Sequence, residues 1–270
     1  MIITPTFTKA FETNFGTNAT AAKAAWNAAA KVFTDAFSDP IHINITVDAV
    51  TGTSVFGESG FGFELISYAD LYQRVVAHAT TANDAIAIGP GGSMPATDPS
   101  NGGTWKLTRA QAKALGLIAD DTANDGSTTF GTGNAFTFSG SIAANTFDFK
   151  GICAHEISEV MGRIGISGTN NTFSLIDVFS YSGAGQRSMG NGAGSFSMNN
   201  GTTLLKAFNN SSKNGGDTRD WAAGTNDSFN DISFSNVVNA GISKGILPVP
   251  ELQDDSIYVV VLPSGSRGLC

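Results

Sequence analysis

One short segment, His155-Glu156-Ile-Ser-Glu159, combines residue types that can bind a metal ion and move a proton. On a helix, residues four apart lie one above the other, so the imidazole of His155 and the carboxylate of Glu159 would face the same point. Glu156 would project about a quarter-turn away, within reach of a water on that ion. The spacing therefore predicts two metal ligands and one general base on a single helix.

The same segment also fits a simpler interpretation. At about 100° per residue, a helix over residues 149–164 places His155 and Glu159 opposite an apolar stripe. That stripe consists of Cys153, Ile157, Val160, Met161 and Ile164. An ordinary solvated helix face looks alike, but only 14% of the chain is charged and it has just three histidines. This scarcity favours the metal site over a solubilising face.

Three segments together resemble a known group of proteins. They are residues 154–164, Ser174-Leu-Ile-Asp-Val-Phe-Ser-Tyr-Ser182 and Gly216-Asp-Thr-Arg-Asp-Trp-Ala222, and the likeness extends to residues 39–45 and 108–116. The pattern is similar to exported bacterial zinc metallopeptidases, in which a His-Glu-x-x-His or His-Glu-x-x-Glu helix precedes an Asp-hydrophobic-Phe-x-Tyr segment. The resemblance implies a zincin-like fold and hydrolysis of peptide bonds.

The resemblance also indicates further site residues. Glu159 stands at the position where the second histidine is usual, and Gly165 stands where a metzincin has its third histidine. Gly162 matches the glycine at which a metzincin chain leaves its helix. Because Asp-x-x-x-Tyr resembles the segment of aspartate-ligated zincins, it implies Asp177 as third ligand and Tyr181 as the catalytic residue that steadies the oxyanion. A capping or turn carboxylate at Asp177 and a core aromatic at Tyr181 remain open.

One imidazole and two carboxylates, from His155, Glu159 and Asp177, would suit Zn²⁺ and would also accept Mn²⁺ or Fe²⁺. Glu156 would take a proton from the attacking water and return it to the leaving amine, with Tyr181 or Arg187 at the oxyanion. Two carboxylates offset the charge of the ion, so we expect weak acidification of its water and an activity optimum at neutral or higher pH.

Other classes of function are weighed against this one. An inactive secreted binding or structural protein on a zincin-like scaffold would explain Glu159 as a decayed ligand. A structural Ca²⁺ is a further candidate, at Asp217, Asp220, Asn226, Asp227 and Asp231. Their spacing fits no EF-hand loop, which favours solvated loop carboxylates. No Gly-x-Ser-x-Gly precedes a helix, which argues against a serine hydrolase.

Composition narrows the partners and the location. A formal charge of -8 argues against nucleic acid or an anionic membrane as the main partner. No apolar run approaches the ~20 residues needed to cross a bilayer. The peptide-bond hydrolysis that the resemblance implies requires a protein or peptide substrate, and we expect the protein to be a monomer. The 32 glycines and few charges are typical of secreted bacterial proteins, although no signal peptide is visible at the N-terminus. Cys153 is expected to be a buried free thiol.

Periodicity and capping signals predict the elements around this site. Residues 19–37 indicate a helix, Ile41–Asp48 a half-buried strand, and Ser67 and Thr108 the starts of two more helices. Asp148 would cap an active-site helix at about 149–163. The sequence predicts one α+β, zincin-like domain over 1–270, with a mixed sheet packed on helices and a loop-rich C-terminal part from 183 to 270.

Overall fold

The computed structural model describes residues 1–166, 168–190, 192–214 and 216–222, and these residues have an α+β architecture. Their α-helices are α1 (Lys9–Phe15), α2 (Ala19–Ala36), α3 (Tyr68–His78), α4 (Ala82–Ile88), α5 (Arg109–Ala114), α6 (Phe149–Val160) and α7 (Ser211–Asn214). Short 3-10 helices span Gly16–Asn18, Thr169–Asn171 and Leu175–Phe179. None of these helices is long and apolar enough to cross a membrane.

The strands form small sheets. They are β1 (Ile2–Phe7), β2 (His42–Val50), β3 (Gly57–Phe61), β4 (Phe63–Ile66), β5 (Thr104–Thr108), β6 (Gly126–Gly131), β7 (Phe136–Thr137), β8 (Phe147–Asp148), β9 (Thr172–Ser174), β10 (Ser180–Gly183), β11 (Gln186–Arg187), β12 (Ser195–Phe196) and β13 (Lys206–Ala207). Two of the sheets have four strands, in the orders β1-β2-β6-β3 and β11-β10-β12-β13. A third has the order β4-β5-β9, and β7 pairs with β8.

The sheet β1-β2-β6-β3 supports the helix that carries the His-Glu-x-x-Glu segment. Strands β1, β2 and β6 run parallel, while β3 runs antiparallel to β6 at the edge of the sheet. Strand β2 alternates buried and less buried residues, as its sequence predicts, and continues to Val50. Helix α6 packs against α2 and against β3 and β6. The edge strand β3 therefore lies directly beside the polar face of α6.

The ends of α6 follow from capping chemistry. Asp148 accepts a hydrogen bond from the backbone N–H of Lys150 at the first turn, as predicted. The helix ends at Val160, earlier than the predicted 163, and Gly162 follows with φ +114°. That backbone conformation strongly favours glycine, so Gly162 turns the chain away after the helix. The predicted caps Ser67 and Thr108 likewise begin α3 and α5.

Helix α6 differs from the sequence-based prediction in one respect: both of its faces are buried. The apolar stripe lies in the core, but His155, Glu156 and Glu159 are also at most 7% exposed. The interpretation of these residues as a solvated helix face is therefore wrong. The sequence could not show this, because the layers that cover the polar face come from β3 and from residues 216–222, at the far end of the described chain.

The C-terminal part is described only as far as residue 222. There, the two-residue strands β11, β12 and β13, the short helix α7 and a bridge between Phe208 and Trp221 are joined by turns and loops, in keeping with the loop-rich part predicted from residue 183. The indole of Trp221 stacks on Phe208 with ring centroids 5.2 Å apart. This packing fixes the segment that contains Asp220 against the rest of the molecule.

The first residue of α6, Phe149, makes the helix position sensitive to core packing. Its ring lies 4.8–5.5 Å from those of Phe15, Phe130, Phe136 and Phe138. We expect Phe149→Ala to lower the free energy of unfolding by ~3–5 kcal/mol in a urea titration, because it leaves a cavity. Leu204→Ala, at a side chain 45% exposed, should change it by less than ~0.5 kcal/mol. Equal effects of the two substitutions would contradict this account of the core.

Candidate metal centre

Three buried side chains converge at the C-terminal half of α6. His155 Nε2 lies 3.4 Å from Glu159 Oε1 and 3.5 Å from Asp220 Oδ2. One ligand atom from each of the three lies within 4.8 Å of those of the other two. Ligand atoms at tetrahedral Zn²⁺ stand about 3.3 Å apart, since each is ~2.0–2.1 Å from the ion. The two distances from His155 fit such a centre.

Each of the two carboxylates is held by its second oxygen. Arg163 Nη1 donates to Asp220 Oδ1 at 2.5 Å, and Ser59 on β3 donates to Glu159 Oε2 at 2.5 Å. Arg163 Nη2 is also 3.7 Å from Glu159 Oε1. These contacts leave Asp220 Oδ2 and Glu159 Oε1 directed at His155. Hydrogen bonds to the outer oxygen are the usual means by which proteins orient carboxylate ligands.

The backbone around Asp220 is fixed as well. The N–H of Asn209 donates to the carbonyl of Asp220 at 2.7 Å, and the Asn209 side chain donates to the carbonyl of Asp217 at 3.0 Å. Ala222 donates its N–H to Ala207 next to this pair. The segment that contains Asp220 thus runs alongside β13 and the two residues that follow it, which brings this carboxylate to α6.

Glu156 lies beside the three ligands and borders a cavity of about 400 Å³. The cavity lies between β3, the chain that leaves α6 at residues 163–166 and the segment 217–220. Its wall is formed by residues 57–59, Phe61, Phe63, Glu156, Glu159, residues 163–166 and residues 217–220. The carboxylate of Glu156 rests against Gly57, where an added Cβ would overlap Oε1 and crowd the Ile152 side chain. Glycine at position 57 therefore makes the room in which Glu156 sits.

The charges at the site are strongly coupled through the buried histidine. Burial alone would lower the pKa of His155, but the carboxylates of Asp220 and Glu159 raise it to about 10. Burial raises the pKa of Glu159, yet its hydrogen bond to His155 and the charges of His155 and Arg163 hold that pKa below the ordinary value. Without a metal ion, His155 thus carries a proton between carboxylates, in the place where a cation would lie.

The two remaining acids have raised pKa values. Burial raises the pKa of Glu156 well above its ordinary value, and the charge of Glu159 adds to the effect. Burial raises the pKa of Asp220 to about 7, although His155 and Arg163 act against it. Without a metal ion, both buried carboxyl groups therefore favour the protonated form more than an exposed carboxyl group does.

Asp177, the third ligand implied by resemblance, is not brought to the other ligands. Its Oδ1 accepts from Arg219 Nε at 2.8 Å, and its Oδ2 accepts from the Ser174 N–H at 2.9 Å and the Ile166 N–H at 3.1 Å. Ser174 and Asp177 form a capping box at the 3-10 helix 175–179. The alternative that the sequence left open, a capping carboxylate, is thus the one observed, and Asp220 is the carboxylate that lies with His155 and Glu159.

Tyr181, the catalytic candidate at the oxyanion, does not border the described cavity. It is fully buried, and its hydroxyl donates to the Ser93 carbonyl at 3.5 Å. The guanidinium of Arg187 lies 4.8 Å from the Tyr181 ring centroid and donates to the carbonyl of Val178. Burial raises the pKa of Tyr181, as expected for a core aromatic. The structure therefore favours the core interpretation for Tyr181. Arg187, the other candidate at the oxyanion, contacts the Tyr181 ring and the Val178 carbonyl.

Asp220 is the candidate ligand that sequence reasoning placed wrongly. With four other oxygen-bearing residues it was expected to be a solvated loop side chain, but it is 2% exposed. Asp217, in the same segment, is exposed, as expected, while Asn226, Asp227 and Asp231 lie outside the described residues. One sequence signal could have found Asp220. The Arg-Asp-Trp run places a charged pair beside a large aromatic residue, which is unusual for a solvated loop.

The other two histidines have partners of their own outside this cluster. His42 is exposed and pairs with Asp120 at 2.7 Å, and His78 ends α3 with Nδ1 2.9 Å from the carbonyl of Arg74. Cys153 is a buried free thiol whose pKa is raised by burial, so it is not an activated nucleophile. Of the three histidines, only His155 lies among converging carboxylates.

Comparison of the chain with protein-family models, curated proteins and solved structures finds no match. The case for a function therefore rests on the residues and geometry of the site.

The raised pKa of Glu156 has a measurable consequence for the metal-free protein. Its stabilising contribution is present below the unfolded pKa near 4.5 and is lost as the pH rises toward the higher folded value. Glu156→Gln has no such loss. The melting midpoint of Glu156→Gln minus that of wild type should therefore increase between pH 4.5 and 8. The increase should be ~2–4 °C for each kcal/mol by which ionisation of Glu156 destabilises the folded protein.

Wild type and Glu156→Gln are compared at each pH after both have been dialysed against a chelator. A difference between Glu156→Gln and wild type that stays constant over this pH range would show that Glu156 is ionised in the folded protein.

Proposed function

We propose that this chain is a zinc-dependent peptidase with a zincin-like fold, in which His155, Glu159 and Asp220 bind the metal and Glu156 is the general base. The observation that carries the proposal is the convergence of three buried ligand atoms, two of them 3.4–3.5 Å from the third. Three acceptor groups at this spacing are costly to bury unless a cation or proton is shared among them.

The donor set fits the ion. One imidazole and two carboxylates suit Zn²⁺ and leave a coordination position for water. A bound zinc ion would supply Lewis acidity and a water that is easier to deprotonate. The protein residues do the rest. Arg163 and Ser59 hold the outer oxygens of Asp220 and Glu159, and Glu156 stands at the cavity wall, where it can take a proton from the attacking water and pass it to the leaving amine.

The edge strand supports a peptide as substrate. Among the described strands, β3 pairs only with β6, and its residues Gly57 to Ser59 line the cavity beside Glu156. An extended peptide could add to this free edge by backbone hydrogen bonds, which would place a peptide bond along the site without demanding a particular sequence. Phe61 and Phe63 continue the cavity wall and offer apolar contact to side chains.

The architecture also supports the zincin-like interpretation. The resemblance implied a mixed sheet packed on helices, and the sheet β1-β2-β6-β3, with the His-Glu-x-x-Glu helix packed beside its antiparallel edge strand, is compatible with it. The metallopeptidases that the sequence resembles are exported, so secretion is part of the proposal.

One observation favours a second candidate, a binding or structural protein with no metal. Arg163 already pairs with Asp220 and Glu159, and a protonated His155 would balance the second carboxylate. The charges of this buried group could thus cancel without an ion. The two candidates differ in metal content, since only the peptidase requires stoichiometric zinc.

Zinc content therefore tests the ligand set. Protein purified without added metal and then titrated with Zn²⁺ should bind one ion, and His155→Ala or Asp220→Ala should weaken zinc affinity by more than ~100-fold. Asp217→Asn is the matched control, because this carboxylate lies in the same segment but not among the three ligands. It should retain affinity within a few-fold. A wild-type protein that binds no zinc would exclude the proposal in favour of the metal-free candidate.

The role of Glu156 is tested by separating metal binding from turnover. Glu156→Gln should retain zinc and lose ~10²–10⁴-fold in the rate of hydrolysis of denatured casein or of a mixture of quenched fluorescent peptides. Unchanged turnover in the variant would eliminate Glu156 as the base.

A second variant disturbs Glu156 without replacing it. Gly57→Ala would push against Oε1 of Glu156 and the Ile152 methyl group, so it should reduce turnover while zinc remains bound. Gly62→Ala is the control, because the nearest atom to an added Cβ is Arg109 Cδ at 3.9 Å. If the two alanine variants had equal turnover, the position of Glu156 against β3 would be irrelevant to catalysis.

A further inference from the structure

A buried ion pair lies one residue away from the candidate ligand Asp220. Arg219 Nε donates to Asp177 Oδ1 at 2.8 Å, and both side chains are 0% exposed. Buried ion pairs seldom add net stability, because desolvation offsets the attraction between the charges. A pair in this place is better explained by the geometry that it imposes on its neighbours.

The carboxylate of Asp177 joins the two chain segments that carry the ligands. Its Oδ2 accepts from the N–H of Ile166, in the loop that leaves the ligand helix α6, while its Oδ1 holds Arg219. Arg219 precedes Asp220 directly, so their Cα atoms are ~3.8 Å apart. One buried carboxylate therefore fixes the exit of α6, which carries His155 and Glu159, relative to Asp220.

Arg219 is held on its other sides as well. Its guanidinium carbon lies 5.0 Å from the ring centroid of Phe208, and Nη2 donates to the carbonyl of Gly190 at 3.3 Å. Its side chain crosses Gly165 so closely that an added Cβ there would overlap Cγ. The absence of a side chain at Gly165 thus allows the Asp220 segment to approach the exit of α6.

We propose that the Asp177–Arg219 ion pair positions Asp220 for metal binding. Asp177 and Arg219 are positioning residues, and neither touches the ion. This inference rests on the proposed function, since it assigns the task of completing the same zinc site. It also gives the Asp-hydrophobic-Phe-x-Tyr segment an indirect role. Its aspartate, Asp177, would hold the chain next to the third ligand instead of binding the metal.

The test is a thermodynamic cycle on zinc affinity, measured by competition with a chromophoric chelator. Asp177→Asn should weaken zinc binding ~10–100-fold, the range found when groups that orient ligands are removed. In an Asp220→Ala background, the same Asp177→Asn substitution should change the remaining affinity by less than 3-fold, because there is no longer a ligand to position. Additive effects in the two backgrounds would overturn the inference.

Two further variants separate positioning from stability. Gly165→Ala alters no charge and displaces Arg219 sterically, so it should also weaken zinc affinity, and it serves if Asp177→Asn does not fold. Ile45→Val, in the core of β2, should destabilise the protein and leave zinc affinity unchanged. Affinity reduced equally by Ile45→Val would show a general effect of stability and would overturn the inference.

The outcomes for the two proposals are distinct. Wild-type protein without zinc binding would refute the proposed function itself. Wild-type protein that binds zinc, with Asp177→Asn and Gly165→Ala at full affinity, would refute only the positioning role and leave the three-ligand site intact.

Discussion

The structure depends on the burial of the polar face of α6. A helix that buries one face can leave its charges in water, but here β3 and residues 216–222 cover His155, Glu156 and Glu159. Every charge on that face must then find a partner of opposite sign or a proton. The arrangement of Arg163, Ser59 and Asp220 follows from this requirement, as do the raised pKa values of His155 and Glu156.

The ion pairs form two linked layers around the helix. In the inner layer, Arg163 joins Asp220 and Glu159 next to His155. In the outer layer, Asp177 joins Arg219 and the chain that leaves α6. The proposed metal site would require a fixed geometry of this kind, because its ligand distances tolerate errors of only ~0.2 Å.

Local patterns in the sequence predicted the elements, and they failed where contacts are distant along the chain. The caps at Asp148, Ser67 and Thr108 depend on neighbouring residues, so their signals are complete within four positions. The i,i+4 pair of His155 and Glu159 is likewise local and was found. The burial of Asp220 was not predicted because it depends on contacts with Asn209 and Arg163. No local pattern in the sequence predicts that these three residues meet.

Asp177 shows how a resemblance can select the right segment and assign the wrong contact. The Ser174–Asp177 spacing is a capping signature, and that local interaction occupies one carboxylate oxygen, while Arg219 occupies the other. A metal ligand at this position would have had to give up one of these two interactions. The segment still bears on the site, through Arg219, which explains why a motif there need not contain a ligand.

Anomalous scattering from crystals of the zinc-loaded protein tests the central claim most directly. The account predicts a peak at the zinc absorption edge within ~2.0–2.2 Å of His155 Nε2, a Glu159 oxygen and Asp220 Oδ2, with Asp177 still paired to Arg219. A map with no peak at these three residues, or with Asp177 in place of Asp220 as the ligand, would contradict it.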